Sequence, residues 1–328
     1  MLSNAQRLRM SDRILSVSSK NPFGRYKREK IQEVRKSDIQ ESEGFQKLKQ
    51  AFETWMSDKF WKRKSGGLGG IIDYIYPMAV KLIRGLEYSA KDVEKLCIAI
   101  AEFQEKEDFA NGAGVFLSAV INNGKEESYT IETRHLTEAP NYLCYRNKKR
   151  ITIEGNVGEY VGCAQSGEIL VNGNADDYVG RYARAGKITI NGNVVFCAGA
   201  NNEGCLIEIK GNSSMMPGVH MKNGRVIVRG NVETSAGDGM KGGTLEIFGN
   251  INGSVGSEME GGKIIVHKNA GERNHGYFIA LEMHGGEIHL NGRIFAQIMY
   301  DRMTGGKIYK KGKLIFERKE PSYGSISF

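Results

Sequence analysis

One spacing constrains this chain more than any other feature. Gly-Asn pairs occur at Gly155-Asn156, Gly173-Asn174, Gly192-Asn193, Gly211-Asn212, Gly230-Asn231 and Gly249-Asn250, with Lys268-Asn269 in the same frame, so successive asparagines lie 18, 19, 19, 19, 19 and 19 residues apart. The frame continues less perfectly at Gly292-Arg293 and Gly312-Lys313. Ahead of each corner stands a short alternating segment whose first apolar position reads Ile151, Ile169, Ile188, Ile207, Val226, Leu245, Ile264, Ile288 and Ile308. Two residues on, the same face reads Ile153, Val171, Ile190, Ile209, Val228, Ile247, Val266, Leu290 and then Lys310, where the stack is expected to end. Period-2 apolar patterning on one face is the signature of a strand buried on one side. A unit this short cannot bury that face alone, so the units must stack as coils of a solenoid. The expected fold is mainly β, a single-stranded β-helix of about nine ~19-residue coils with an N-terminal α-helical cap region. At about 4.8 Å per coil it forms a rod roughly 40 Å long.

Composition agrees. Of 42 glycines, 31 fall between Gly155 and Gly312, while only 5 prolines occur in the whole chain, which excludes collagen and Pro/Gly-rich disorder. The Gly-Asn corner is expected because both residues tolerate positive φ, and stacked asparagine amides are expected to bond from coil to coil. A further column reads Ala164, Ala183, Asn201, Met221, Met240, Met259, Met283, Met303. Methionine suits the inside of a narrow coil, where its unbranched thioether fills irregular gaps.

The front of the chain differs. Residues 1–64 hold the whole formal excess of +8 and are expected to form a basic, partly helical arm. Residues 65–145 form a helical cap region, 146–316 the β-helix and 317–328 a tail. Phe45, Leu48, Phe52, Trp55, Met56 and Phe60 share one helical face ahead of a glycine linker at Gly66–Gly70. A second helix is expected from Ile71 to Arg84, bent or started near Pro77. A third begins at Ser89, with Asp92 completing a capping box, and runs toward Glu107. The apolar segment 114–121 is expected to pack on the first coil, because an open solenoid end exposes strand edges that must be covered.

The runs PGVHMKNGRVIVRGNV (217–232), AGDGMKGGTLEIFGNI (236–251) and VGSEMEGGKIIV (255–266) resemble the GXGXG repeat, found at the C-terminus of the glutamate synthase large subunit and in one of the subunits of formylmethanofuran dehydrogenase. The resemblance covers about residues 150–315. It implies a right-handed β-helix with a structural role, joining or spacing subunits that carry the chemistry. Residues 1–140 resemble none of those catalytic parts, so the chain reads as a stand-alone, archaeal-type member.

Chemistry is sparse. No catalytic, cofactor-binding or metal-binding residue is assigned, and no cofactor is expected. Five of six histidines (His220, His267, His275, His284, His289) fall in different frame positions and lack the clustering of zinc ligands. Glu159-Tyr160 and Asp177-Tyr178, with Asp176, occupy equivalent places in two coils and read as a solvated or docking surface rather than acid/base machinery. Cys163, Cys197 and Cys205 read as small buried apolar residues. The coil from Gly262 to Gly286 is longer than the others, and its extra residues near Glu272, Arg273 and His275 are the interaction candidates.

The expected function is therefore a non-catalytic scaffold mediating subunit or protein-protein association. The alternatives are an accessory subunit of a glutamate synthase-like or formylmethanofuran dehydrogenase-like complex, and a carbohydrate-active β-helix enzyme. A protein partner or homo-oligomer is expected. Nucleic acid is not, although the arm has the charge for it. With no membrane span and no apolar leader, the location is expected to be cytoplasmic.

Overall fold

The computed structural model describes residues 41–57, 68–272 and 276–319. The chain divides into Met1–Gln40, outside the described residues, and Glu41–Phe328, whose fold follows. Its spine is an 11-stranded sheet. Strands at Arg150–Glu154, Glu168–Asn172, Lys187–Ile190, Glu203–Ile209, Asn223–Val228, Thr244–Ile247, Lys263–Val266, Glu287–Leu290 and Gly306–Lys310 pair in parallel and in chain order. The pairing is in register, Ile151 on Ile169 on Ile188 and so on to Ile308, and every residue of that column is 2 % exposed or less. The chain is thus a β-solenoid of about nine turns at ~19-residue spacing, with helices at its N-terminal side.

One rung lies ahead of the recognisable repeat. Ser128–Glu132 pairs in parallel with Arg150–Glu154, and buried Tyr129 and Ile131 extend the two aliphatic columns, so the sheet begins before residue 146. Its corner reads Thr133-Arg134 instead of Gly-Asn, and the Thr133 hydroxyl donates to the Asn156 carbonyl at 2.8 Å.

The Gly-Asn corners work differently from expectation. Gly173, Gly192, Gly211, Gly230 and Gly249 do not have positive φ, nor do their asparagines; of these corner glycines only Gly155 does. What demands glycine is closeness: a Cβ on Gly192 would sit 2.4 Å from Asn174 Oδ1 and 2.6 Å from the Gly173 carbonyl oxygen. The asparagines bond mainly through the backbone, since the N–H of Asn193, Asn212, Asn231 and Asn250 donates to Oδ1 of the asparagine one coil earlier at 2.7–2.8 Å. Left-handed residues lie instead on another side of each coil, at Tyr178 (φ 60), Gly180 (φ 64) and Tyr182 (φ 56) in one unit.

The interior column is also one residue out at two places. Gln165, Ala183, Asn202, Met221 and Met240 each donate their N–H to the carbonyl of the glycine three residues earlier, so Gln165 and Asn202, not Ala164 and Asn201, stand in line with the methionines. All five are fully buried. Asn202 is satisfied by the Cys205 carbonyl (2.8 Å) and the Cys205 N–H (2.9 Å), and Gln165 Nε2 donates to the Ala185 carbonyl at 3.0 Å. From Met221 to Met283 each methionine Cε of this column abuts a glycine one coil later: a Cβ on Gly262 would meet Met240 Cε at 2.7 Å.

Four helices close the first rung. In α1 (Glu43–Ser57) the residues Phe45, Leu48, Phe52, Trp55 and Met56 are buried as their spacing requires; Phe60 lies outside the described residues. This helix packs on the others, so the division at residue 64 does not separate arm from cap. The second helix, α2 (Leu68–Ile83), contains Pro77 and begins within the glycine stretch that reads as a linker. Ser89 and Asp92 form the capping box of α3 (Ala90–Ala99), which lies on the Ser128–Glu132 strand. The segment 114–121 belongs to α4 (Phe109–Asn123), apolar around most of its circumference and accordingly buried between α2 and the first coil. Ser118 there donates to the Tyr142 carbonyl at 2.9 Å.

At the other end, Lys311 (φ 47) and Gly312 (φ 75) reverse the chain into an antiparallel strand, Lys313–Arg318, that covers the last parallel one. No helix among the described residues is long and apolar enough to cross a membrane.

Candidate functional site

The side of the solenoid bearing the left-handed residues carries an unusual surface over its first coils. The segments starting at Asn141, Glu159, Asp177, Phe196 and Met215 stack there through backbone bonds. Tyr142 N–H donates to the Glu159 carbonyl (2.7 Å), Tyr160 to Asp177 (2.8 Å), Tyr178 to Phe196 (2.8 Å) and Cys197 to Met215 (3.0 Å). This register puts tyrosine on tyrosine. The rings of Tyr142 and Tyr160 are 4.8 Å apart and 4° from parallel, those of Tyr160 and Tyr178 4.8 Å and 6°, and Phe196 closes the row edge-on at 5.8 Å. Aromatic pairs contribute about 0.5–1.5 kcal/mol each beyond burial.

Arg181 lies across the row, 5.1 Å from the Tyr178 ring and 4.9 Å from that of Tyr182. Its buried Nε has no hydrogen-bond acceptor, so the tyrosine faces provide much of its stabilisation. Beyond Tyr178, buried Cys197, Ala200 and Val219 form an apolar cluster with half-buried Phe196 and Met216. This cluster is separate from the main core.

Beside the tyrosines stand Glu159, Asp176 and Asp177, none of whose carboxylates makes an ion pair or hydrogen bond among the described residues. Burial, then the nearby charges of Glu159 and Asp176, push Asp177 up to about 6. Glu159 is raised by burial and by Asp176, and Asp176 by burial. A carboxyl whose folded value exceeds its unfolded one binds more protons when folded, so its cost to stability is absent near pH 4 and complete above pH 6. Replacing Asp177 with Asn should therefore raise the melting temperature at pH 7.5 by the equivalent of about 1 kcal/mol, a figure reduced for solvent screening of a half-buried group. The gain should vanish near pH 4; an equal gain at both pH values would show that charge is not its origin.

The outer face of the main sheet is the opposite case, with its charges paired internally. Glu208 accepts from Arg229 (2.8 Å) and Lys210 (2.8 Å), and Arg229 stacks on Phe248 at 4.4 Å. His267 stacks on Phe248 and reaches Glu246 at 2.9 Å, while His289 pairs with Glu287 at 2.9 Å. The histidines are thereby dispersed, and no three His, Cys, Asp or Glu side chains among the described residues could hold a metal ion. Cys163, Cys197 and Cys205 are buried, which pushes each thiol up to about 12 and makes them poor nucleophiles. A shallow depression of about 390 Å³ is lined by Lys148, Lys149, Arg150, Glu127 and Glu168, and its Arg150 and Glu168 bind each other at 3.0 Å.

The long coil fits between intact rungs: Ala270 bridges Ile251 and Ile294, and Ile279 bridges Val255. Of the interaction candidates there, Glu272 is exposed, while Arg273 and His275 lie outside the described residues. The structure brings together instead Glu159, Asp176 and Asp177 with Arg181, Phe196, Met216 and the tyrosine row. Reading the coils in register exposes the acid-tyrosine pairs; the apolar cluster is hidden in sequence, because nothing distinguishes its residues from core positions.

Fold and surface define a β-solenoid with one aromatic, acidic and apolar side. No family model and no curated protein matches the chain.

Proposed function

We propose that this chain is a non-catalytic β-helix scaffold that binds another protein or a second copy of itself. One observation carries the reading: the acidic and apolar groups beside the tyrosine row are unpaired, whereas the main-sheet face neutralises its own charges. The half-buried carboxylates of Glu159 and Asp177, without a cation, cost stability in the isolated chain, and that cost is relieved when a partner brings a cation to them. The GXGXG resemblance supports the same role and, within it, an accessory subunit of a glutamate synthase-like or formylmethanofuran dehydrogenase-like complex.

The test is light scattering and cross-linking of the full-length chain purified from its native host. Association at defined stoichiometry is expected, weakened at least tenfold by the double substitution Phe196→Ser, Met216→Ser. A lone monomer, or association indifferent to that double substitution, rejects the reading.

A second reading, a carbohydrate-active β-helix, draws on Asp177 near 6 beside an aromatic row. It requires calcium or neutral oligosaccharides to raise the melting temperature; no shift with either removes it.

A further inference from the structure

We propose that the surface formed by Glu159, Asp176 and Asp177 with the half-buried rim of Tyr178, Phe196 and Met216 takes a protein segment in which a lysine or arginine is flanked by aliphatic side chains. The inference rests on the scaffold reading and adds the chemistry of the partner.

Two features of the surface lie side by side and select different parts of such a segment. The first is the apolar cluster of Cys197, Ala200 and Val219, edged by the half-buried Phe196, Met216 and Tyr178. Cys197, Ala200 and Val219 are already buried, so the area a partner can remove from water is that of the half-buried rim, Phe196, Met216 and Tyr178. The second is the trio Glu159, Asp176 and Asp177, on the two coils that precede Phe196. Arg181, on the second of those coils, makes no ion pair with any of the three and lies over the tyrosine rings instead. Three carboxylates against one guanidinium leave the surface net negative. An acidic or purely aliphatic partner would bury these carboxylates uncompensated, whereas a cation bonded to them restores their balance in a low-dielectric contact. A flanking leucine or isoleucine then reaches the Phe196–Met216 edge. Phosphate or nucleic acid is disfavoured by the same net charge.

The experiment titrates the full-length chain with three 12-residue synthetic peptides: alternating Leu and Arg, alternating Leu and Glu, and alternating Ser and Arg. Binding is measured by calorimetry at 150 mM salt. The Leu/Arg peptide should bind at least tenfold more tightly than either of the others. The triple variant Glu159→Gln, Asp176→Asn, Asp177→Asn should lose that preference tenfold or more while melting no lower than the parent at pH 7.5. Equal binding of Leu/Arg and Ser/Arg peptides, or unchanged binding to the triple variant, overturns the proposal. A native partner that stays bound to the triple variant but leaves the Phe196→Ser, Met216→Ser variant would overturn the cationic chemistry and leave the scaffold reading intact.

Discussion

Gly114→Ala should destabilise the protein by about 3 kcal/mol, near the top of the range for forcing atoms into a packed core. Gly114 sits within α4 where that helix meets the first coil, and a Cβ there would fall 1.7 Å from the Asn141 carbonyl oxygen. That oxygen belongs to backbone and cannot swing aside, so either the helix lifts or the coil shifts. Both Phe116 and Leu117 are fully buried in the same helix, and lifting it would expose them. The control is Gly276→Ala, where an added Cβ meets nothing within 4 Å; its midpoint in urea should move by less than the equivalent of about 0.5 kcal/mol. A Gly114→Ala protein that melts with the parent would mean that α4 is not seated on the coil as described.

Met240→Ala should cost about 3 kcal/mol, and Met240→Leu less than about 1.5 kcal/mol. The side chain is fully buried, and its Cε fills the space above Gly262 in the following coil. Truncation leaves a void lined by rungs that are held apart by their own backbone bonds, so the site cannot collapse. Leucine keeps the volume and changes only its shape. Chemical denaturation measures both; equal losses for the two variants would show that volume is not what the methionine supplies.

Much of the architecture is legible because the repeat states it many times over. The columns from Ile151 and from Ile153 are readable since each register position recurs in coil after coil. The rung at Ser128 is not, because its corner reads Thr133-Arg134 and nothing local marks it as a coil. Gly-Asn is visible as a corner but suggests the wrong cause: a sequence shows that glycine is required, not whether φ or a neighbour's oxygen requires it. Gln165 slips by one residue because the first coil is a residue short, and Asn202 because Gly204 stands one residue ahead of Cys205, which takes the place that Gly186 holds one coil earlier. Of the candidate site, the acid-tyrosine pairs can be read, being in register. The Cys197, Ala200 and Val219 cluster cannot, since small apolar residues look alike whether they face in or out.

The long coil has a consequence for engineering. Ile251 on one side and Ile294 on the other both bridge to Ala270 despite the insertion, so the solenoid counts coils and is indifferent to how many residues separate one bridge from the next. Coil height and loop length are therefore independent variables. A foreign sequence grafted between Gly271 and Gly276 would be carried at a fixed number of steps, each about 4.8 Å, from the tyrosine row, which makes the molecule a ruler on which a displayed epitope can be moved by adding or deleting whole coils.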